Sequence, residues 1–126
     1  MVIVLANGVF DVLHAGHVEH LRQARSMGHF LFVSLTEDEF VRKGPGRPIN
    51  AWESRALVLR ELRSVSSVFA TPNAVEAIRR IRPNIFVKGI DYASGDRFTE
   101  DVVQACLDVK CELRYTTTPK RTAWKP

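Results

Sequence analysis

Short apolar runs alternate with segments of helical periodicity along the chain, and this alternation constrains the fold more than any other feature of the sequence. The first run, MVIVLA at residues 1–6, contains no polar residue, which is typical of a strand buried on both faces. Further runs predict four more strands, at residues 29–35, 65–70, 84–89 and 111–117. Because strands that alternate with helices form parallel sheets, the sequence predicts an α/β fold, with a five-stranded, mostly parallel sheet and helices on both faces.

The segments between these runs carry helix signals. Apolar residues at helical spacing predict helices at residues 17–27, 73–81 and 99–107. Thr36 and Glu39 have the spacing of a capping box and predict a short helix after the second strand. Asn50 predicts the N-cap of a further helix, with an apolar stripe from Trp52 to Leu62.

Composition places the chain among ordinary soluble proteins. Its 126 residues suit one domain, so we treat 1–126 as a single domain. The net charge of +4 suits anionic partners of several kinds, including phosphorylated small molecules and nucleic acids. Cys106 and Cys111 form neither a disulfide framework nor a zinc pattern, so we expect two reduced thiols. The N-terminus has no basic region and only a short apolar run, so we expect a cytoplasmic protein that does not span a membrane.

The first loop, at residues 8–17, connects the first predicted strand to the first predicted helix and contains an unusual group of residues. Ligands of parallel sheets bind beyond the carboxyl ends of the strands, where this loop is expected. His14 and His17 are three residues apart and so fall on one side of the first helical turn, with Gly16 between them. The N–H groups and the positive dipole end of the helix point into the same space, which favours a phosphate. A zinc site that adds His20 is disfavoured, because His20 is poorly phased with His14.

Residues 8–17, GVFDVLHAGH, match the motif G-x-F-D-x-x-H-x-G-H, and here the chain resembles the cytidylyltransferase-like nucleotidyltransferases. That family includes glycerol-3-phosphate cytidylyltransferase and the heptose 1-phosphate adenylyltransferases. The resemblance extends over residues 2–92, through TEDEF, KGPGRPIN, ESRALVLREL and IRPNIFVKGIDY, and is strongest to the heptose-type members. It implies a single Rossmann-like nucleotidyltransferase domain. The implied reaction transfers a nucleotidyl group from a nucleoside triphosphate to a phosphomonoester and releases pyrophosphate.

The resemblance also implies roles for individual residues. The implied catalytic residues are His14, His17 and Lys43. The implied nucleotide-binding residues are Val9, Phe10, Asp11, His14, Gly16, His17, Lys43, Asp91, Arg121 and Thr122. The implied ligands of the acceptor substrate are Arg47, Arg55, Arg63 and Lys88. Lys43 and Arg47 lie on the Gly- and Pro-rich segment KGPGRP, which is predicted to be a loop that closes over phosphates.

Mg²⁺ is the expected cofactor, bound mainly through the triphosphate, and no protein metal site is predicted. Asp11 and Asp38 are candidate helpers, or else they cap helices and hold turns. Relatives usually follow the last strand with a Ser/Thr-rich stretch that opens a helix. Here YTTTPKRTAWKP carries at most a shortened form of that stretch, which bears on nucleotide affinity.

The favoured substrates are ATP and a sugar phosphate such as heptose 1-phosphate. The alternatives are a CTP-dependent cytidylyltransferase acting on glycerol 3-phosphate or another polyol phosphate, and a nucleotide-binding module that has lost its activity. A nucleic-acid partner is not expected, because the Lys and Arg residues are dispersed and are not interleaved with aromatic residues. Related architectures suggest a homodimer or a higher oligomer.

Overall fold

The computed structural model describes residues 1–89 and 98–117, in which strands and helices alternate. The strands are β1 (Ile3–Gly8), β2 (Phe30–Thr36), β3 (Ser67–Thr71), β4 (Ile85–Gly89) and β5 (Glu112–Thr116). The α-helices are α1 (Ala15–Ser26), α2 (Trp52–Arg60), α3 (Ala74–Ile81) and α4 (Glu100–Val109), and a 3-10 helix spans Asp38–Phe40. None of the helices in the described ranges has the length and hydrophobicity needed to cross a bilayer.

The five strands form one sheet in the order β3-β2-β1-β4-β5, and every neighbouring pair is parallel. The predicted five-stranded α/β fold is thus confirmed. The central strand β1 is covered on both sides, which explains its uniformly apolar sequence. Val4 and Ala6 pack with residues of α1 and α2, whereas Leu5 points the other way and packs with residues of α3 and α4.

The chain changes direction through the sheet at β1. From β1 it proceeds through β2 to the β3 edge, and it returns to the other side of β1 as β4. The carboxyl ends of β1 and β4 therefore border the crevice where ligands of such sheets bind. Gly8 ends β1 and Gly89 ends β4, so the loop at residues 8–17 leaves from this crevice.

Two predicted helix caps are wrong, and in each case a distant partner takes the capping side chain. The Thr36 hydroxyl donates to the Gly8 carbonyl at 3.3 Å, and the following helix is a 3-10 turn without a side-chain cap. Ala51 holds the N-cap position of α2, because the Asn50 side chain donates instead to the Asp11 carbonyl at 2.7 Å. Local spacing could not predict either contact, since both partners are more than 25 residues away.

Candidate active site

His14 and His17 lie together at the start of α1. Their rings stack with centroids 3.9 Å apart and planes inclined by 28°. His14 is the N-cap, so α1 begins at Ala15, two residues earlier than the periodicity predicts. The Gly16 N–H donates to His14 Nδ1 at 3.0 Å, and the His14 N–H donates to His17 Nδ1 at 3.3 Å. Each Nδ1 therefore accepts from the backbone, which assigns the ring hydrogen of both histidines to Nε2.

The environment of His17 disfavours its charged form. Burial of the ring, together with the nearby His14, His20 and Lys43, lowers the pKa of His17 from 6.5 to about 4. His17 is therefore uncharged at neutral pH and acts as an Nε2–H donor. The N-terminus of α1 supplies the positive electrostatic character of this corner without a charge on that ring.

Phe10 supports the histidines from below. It is buried, it has a positive φ of 46°, and its ring meets the His17 ring edge-on at 5.4 Å. A Cβ at position 8 would lie 2.7 Å from Phe10 Cε2, well inside van der Waals contact. Gly8 thus allows Phe10 to pack against the backbone where β1 ends.

Asp11 ties the KGPGRP loop to this corner. Its carboxylate accepts the N–H groups of Ile49 at 2.7 Å and Asn50 at 2.9 Å, and it pairs with Arg47 at 3.2 Å. The two backbone bonds, followed by the Arg47 guanidinium, hold the pKa of Asp11 below its ordinary value. Asp11 therefore holds the two loops together, which is one of the two roles that the sequence left open. Arg47 donates one of its N–H groups to Asp11.

Arg55 is a second support, with a side chain that is 0% exposed. Its guanidinium donates to the Asn50 carbonyl at 2.9 Å and to the Val9 carbonyl at 2.8 Å, and it pairs with Asp38. This differs from the expectation of an arginine that faces the acceptor. Arg55 is buried inside the protein, where it connects α2 to the residues that follow β1. Its contact with a substrate stays a prediction.

Arg63 lies at the amino edge of the sheet, away from His14. It follows α2 and precedes β3, so it belongs to the turn that leads into the amino end of that strand. The Ser66 N–H in that turn donates to the Leu31 carbonyl, near the start of β2. His14 lies at the opposite, carboxyl edge of the sheet. The helix α2 runs back along the sheet from that edge, so the residues that follow it are at the amino edge. The contact of Arg63 with a substrate stays a prediction.

Of the other predicted residues, three lie in the part of the chain that the structure describes, and three lie outside it. Lys43 is exposed on its loop and lies close enough to His17 to affect its pKa, and Gly16 lies in the first turn of α1. Lys88 is in β4, one residue beyond the Ala6–Val87 pair. The predictions for Asp91, Arg121 and Thr122 lie outside the described residues.

The structure also reveals contacts that the sequence did not predict. His20 is one turn of α1 below His17, and its ring is hydrogen-bonded to the Thr116 hydroxyl at the end of β5. Burial lowers the pKa of His20 to about 4. The side-chain amide of Gln23, a further turn along, accepts the Thr117 N–H at 3.0 Å and donates to the Thr117 carbonyl. The polar i, i+3 spacing of His17, His20 and Gln23 was the available signal that one face of α1 holds the exit of β5.

The sequence of this chain is similar to those of known proteins. The model of the cytidylyltransferase-like family matches residues 5–121. The bifunctional protein HldE of Pseudomonas entomophila is 44% identical over 107 residues, which are 82% of this chain and 23% of that protein. The bifunctional protein HldE of Wolinella succinogenes is 46% identical over 106 residues, 81% of this chain and 22% of that protein. The chain thus spans less than a quarter of the length of these relatives.

Two solved structures resemble the chain as a whole. The lipopolysaccharide core biosynthesis protein from Thermoplasma volcanium has a TM-score of 0.75 at 26% identity, covering 95% of this chain and 98% of that one. The pantoate-beta-alanine ligase from Francisella tularensis has a TM-score of 0.68 at 13% identity, covering 97% of this chain and 61% of that one. The second likeness concerns the fold alone.

Proposed function

Because the chain belongs to the cytidylyltransferase-like family, we propose that residues 1–126 act as a nucleotidyltransferase domain. It transfers the nucleotidyl group of ATP to a sugar phosphate, such as heptose 1-phosphate, and releases pyrophosphate. The observation that carries the proposal is the stacked pair of His14 and His17 at the N-terminus of α1, with both Nδ1 atoms engaged by the backbone. Such a pair offers two Nε2–H donors beside a helix dipole, which suits a triphosphate.

The reaction is an in-line substitution at the α-phosphorus. An oxygen of the acceptor phosphate forms the new P–O bond, and the bond to the bridging oxygen of pyrophosphate breaks. No base is required, because a phosphomonoester is ionised at pH 7. Negative charge grows on the equatorial oxygens and on the leaving pyrophosphate, so positioned donors and cations lower the barrier.

His14 and His17 donate to the α-phosphate and to the bridging oxygen as it leaves. Lys43, on the loop that Asp11 ties down, adds a positive charge over the departing phosphates. Arg47 extends the same loop. Its side chain is 40% exposed, so its guanidinium can meet a second phosphate while it retains its contact with Asp11.

Mg²⁺ is proposed to enter with the nucleotide as part of the substrate. The donor set suits this arrangement, because both carboxylate oxygens of Asp11 accept bonds from protein donors. The described residues hold no cluster of three or more metal-binding side chains. The ion neutralises charge on the triphosphate when bound, and its ligands are mostly phosphate oxygens.

The choice of a sugar phosphate rests on similarity. The KGPGRPIN and ESRALVLREL segments resemble the heptose-type members, and the HldE proteins share more than 40% of their residues with this chain over the matched region. A CTP-dependent enzyme for glycerol 3-phosphate is the second candidate, because both groups share the G-x-F-D-x-x-H-x-G-H motif and the motif does not distinguish between them.

A pyrophosphate-release assay tests the proposal. ATP and CTP are each paired with a sugar 1-phosphate and with glycerol 3-phosphate, at high enzyme concentration. We expect release with ATP and the sugar phosphate. Release with CTP and glycerol 3-phosphate alone would favour the second candidate. Triphosphate binding by calorimetry without turnover of any pair would instead indicate a binding module.

A further inference from the structure

One face of α1 holds the exit of β5, a strand that is not its neighbour in the chain. The helix connects β1 to β2, whereas β5 is an edge strand, beyond β4, of the sheet that the described residues form. The contact is made by His20 and Gln23, which lie three residues apart and so on one side of the helix. His17 lies one turn earlier on the same side. A single helix therefore carries a histidine of the stacked pair and the residues that hold β5.

The contact of His20 crosses the end of β4. His20 Nδ1 is hydrogen-bonded to the Thr116 hydroxyl, and Thr116 is only 1% exposed. Gly89, the last residue of β4, is the strand partner of Thr116. A Cβ at Gly89 would lie 3.5 Å from His20 Nδ1 and 3.8 Å from Thr116 Oγ1, in ordinary van der Waals contact with both. The bond therefore spans the carboxyl end of β4, which borders the crevice beside β1.

The contact of Gln23 extends the hold by one residue. Gly89 and Thr116 form the last pair between β4 and β5, so Thr117 lies beyond the strand. The Thr117 N–H donates to Gln23 Oε1 at 3.0 Å, and the Thr117 carbonyl accepts from Gln23 Nε2. The side-chain amide thus pairs with both backbone groups, as a neighbouring strand would. Together, His20 and Gln23 fix the side chain of Thr116 and the backbone of Thr117 relative to α1.

The order of the strands indicates which part of a bound triphosphate lies near this contact. The KGPGRP loop follows β2, on one side of β1, whereas β4 and β5 lie on the other side. In the proposed reaction, Lys43 on that loop serves the leaving pyrophosphate, and the histidine pair serves the α-phosphate. The nucleoside is attached to the α-phosphate and extends away from the loop, toward the ends of β4 and β5, where ligands of parallel sheets bind.

We infer that His20 and Gln23 are positioning residues for the nucleoside triphosphate. They hold the exit of β5 and the start of α1 as one rigid surface, against which the nucleotide binds. A surface that is already ordered binds more tightly, because less conformational entropy is lost when the ligand arrives. The inference rests on the proposed function, and it assigns no contact with the reacting atoms to either residue.

Nucleotide affinity measured without turnover tests this role. The dissociation constants of ATP and of CTP are measured by calorimetry with Mg²⁺ and no acceptor, and the tighter nucleotide is used for all variants. His20→Phe keeps a ring but has no hydrogen-bonding atom, and Gln23→Ala removes the amide. We expect each to raise the dissociation constant about fivefold to tenfold, which corresponds to the net free energy of one hydrogen bond.

Two further variants separate the hydrogen bond from the packing of the ring. His20→Asn puts an amide atom where Nδ1 lies, three bonds from Cα, and should restore most of the affinity. Thr116→Val removes the hydroxyl with little change in shape, so it tests the bond even if His20→Phe does not fold. In a double-mutant cycle, Thr116→Val should weaken binding in the wild type but have little effect in His20→Phe, because the bond is already absent there.

Asn84→Ala is the matched control. Asn84 Oδ1 accepts the Ile3 N–H at 2.7 Å, so this variant also removes a side-chain bond to the backbone of another segment, but at the amino edge of the sheet. Its thermal midpoint should fall as those of the other variants do, while its nucleotide affinity stays at the wild-type value. Wild-type affinity in both His20→Phe and Gln23→Ala, additive effects in the cycle, or an equal loss of affinity in Asn84→Ala would overturn the positioning role.

Pyrophosphate release by the wild type judges the proposed function separately. Release together with unchanged affinity in the variants would remove only the positioning role. Loss of affinity in the variants without release from any substrate pair would retain the positioning role and remove the transfer reaction. Failure of the wild type to bind either triphosphate would count against both.

Discussion

Asp11 and Asn50 bind each other through two hydrogen bonds that use different parts of each residue. The Asn50 N–H donates to Asp11 Oδ1 at 2.9 Å, and the Asn50 side-chain amide donates to the Asp11 carbonyl at 2.7 Å. The residues are 39 positions apart, so the pair fixes the end of the KGPGRP loop against the loop at residues 8–17. The position of Lys43 relative to the histidines therefore depends on this contact.

Asp11→Asn should weaken the hold on that loop. The variant keeps one acceptor oxygen but loses the charge that attracts Arg47 and one of the two backbone-bonded oxygens. We expect kcat/KM for the triphosphate to fall about tenfold or more, with a smaller change in KM for the acceptor. Steady-state pyrophosphate release measures both. Asp108→Asn, which breaks the exposed pair with Arg79, is the control and should leave both constants unchanged.

The depressed pKa of His17 predicts an unusual pH profile. With a pKa of about 4, His17 stays neutral through the range in which an ordinary histidine would titrate. Its protonation below that pH places a hydrogen on Nδ1 and so opposes the bond from the His14 N–H. We expect the carbon resonances of the His17 ring to titrate near pH 4 in the free protein. A midpoint near 6.5 would contradict the desolvated, stacked arrangement.

Stability should also depend on pH through His20. Its pKa is about 4 in the folded chain against an ordinary 6.5, so the unfolded chain binds more protons between these values. The free energy of unfolding should therefore be fully retained above pH 6.5 and should decrease as the pH falls toward 4. Urea unfolding across this range measures the slope. His20→Gln removes the titrating group and should make the slope shallower, and an unchanged slope would assign it to other groups.

The periodicity of the sequence predicts the strands and helices because their burial is set by one-dimensional patterns. MVIVLA is apolar throughout since β1 has a helix layer on each face, and no tertiary detail is needed to predict that. The histidine pair was also predictable, because residues three apart on a helical start must lie close together. Both inferences depend only on short-range geometry.

Contacts between distant segments were not predictable in this way. Asn50 has the signature of a helix cap, yet its side chain goes to Asp11, and local spacing contains no information about that partner. Arg63 has the charge expected of a phosphate ligand, but the return of α2 along the sheet carries it to the other edge.

Gly8→Ala tests how closely β1, Phe10 and the histidines are coupled. The new Cβ would lie 2.7 Å from Phe10 Cε2, so the ring must shift, and with it the edge contact that supports His17. Overpacking of this kind costs about 1–3 kcal/mol in the free energy of unfolding, and the displaced His17 should reduce kcat by a larger factor than KM. Phe10→Leu removes the atoms that clash. In a double-mutant cycle of thermal unfolding, the substitutions at positions 8 and 10 should therefore be non-additive, with the double variant more stable than the sum of the single effects predicts. Additive effects would mean that the chain relieves the clash elsewhere, and that Gly8 does not act through Phe10.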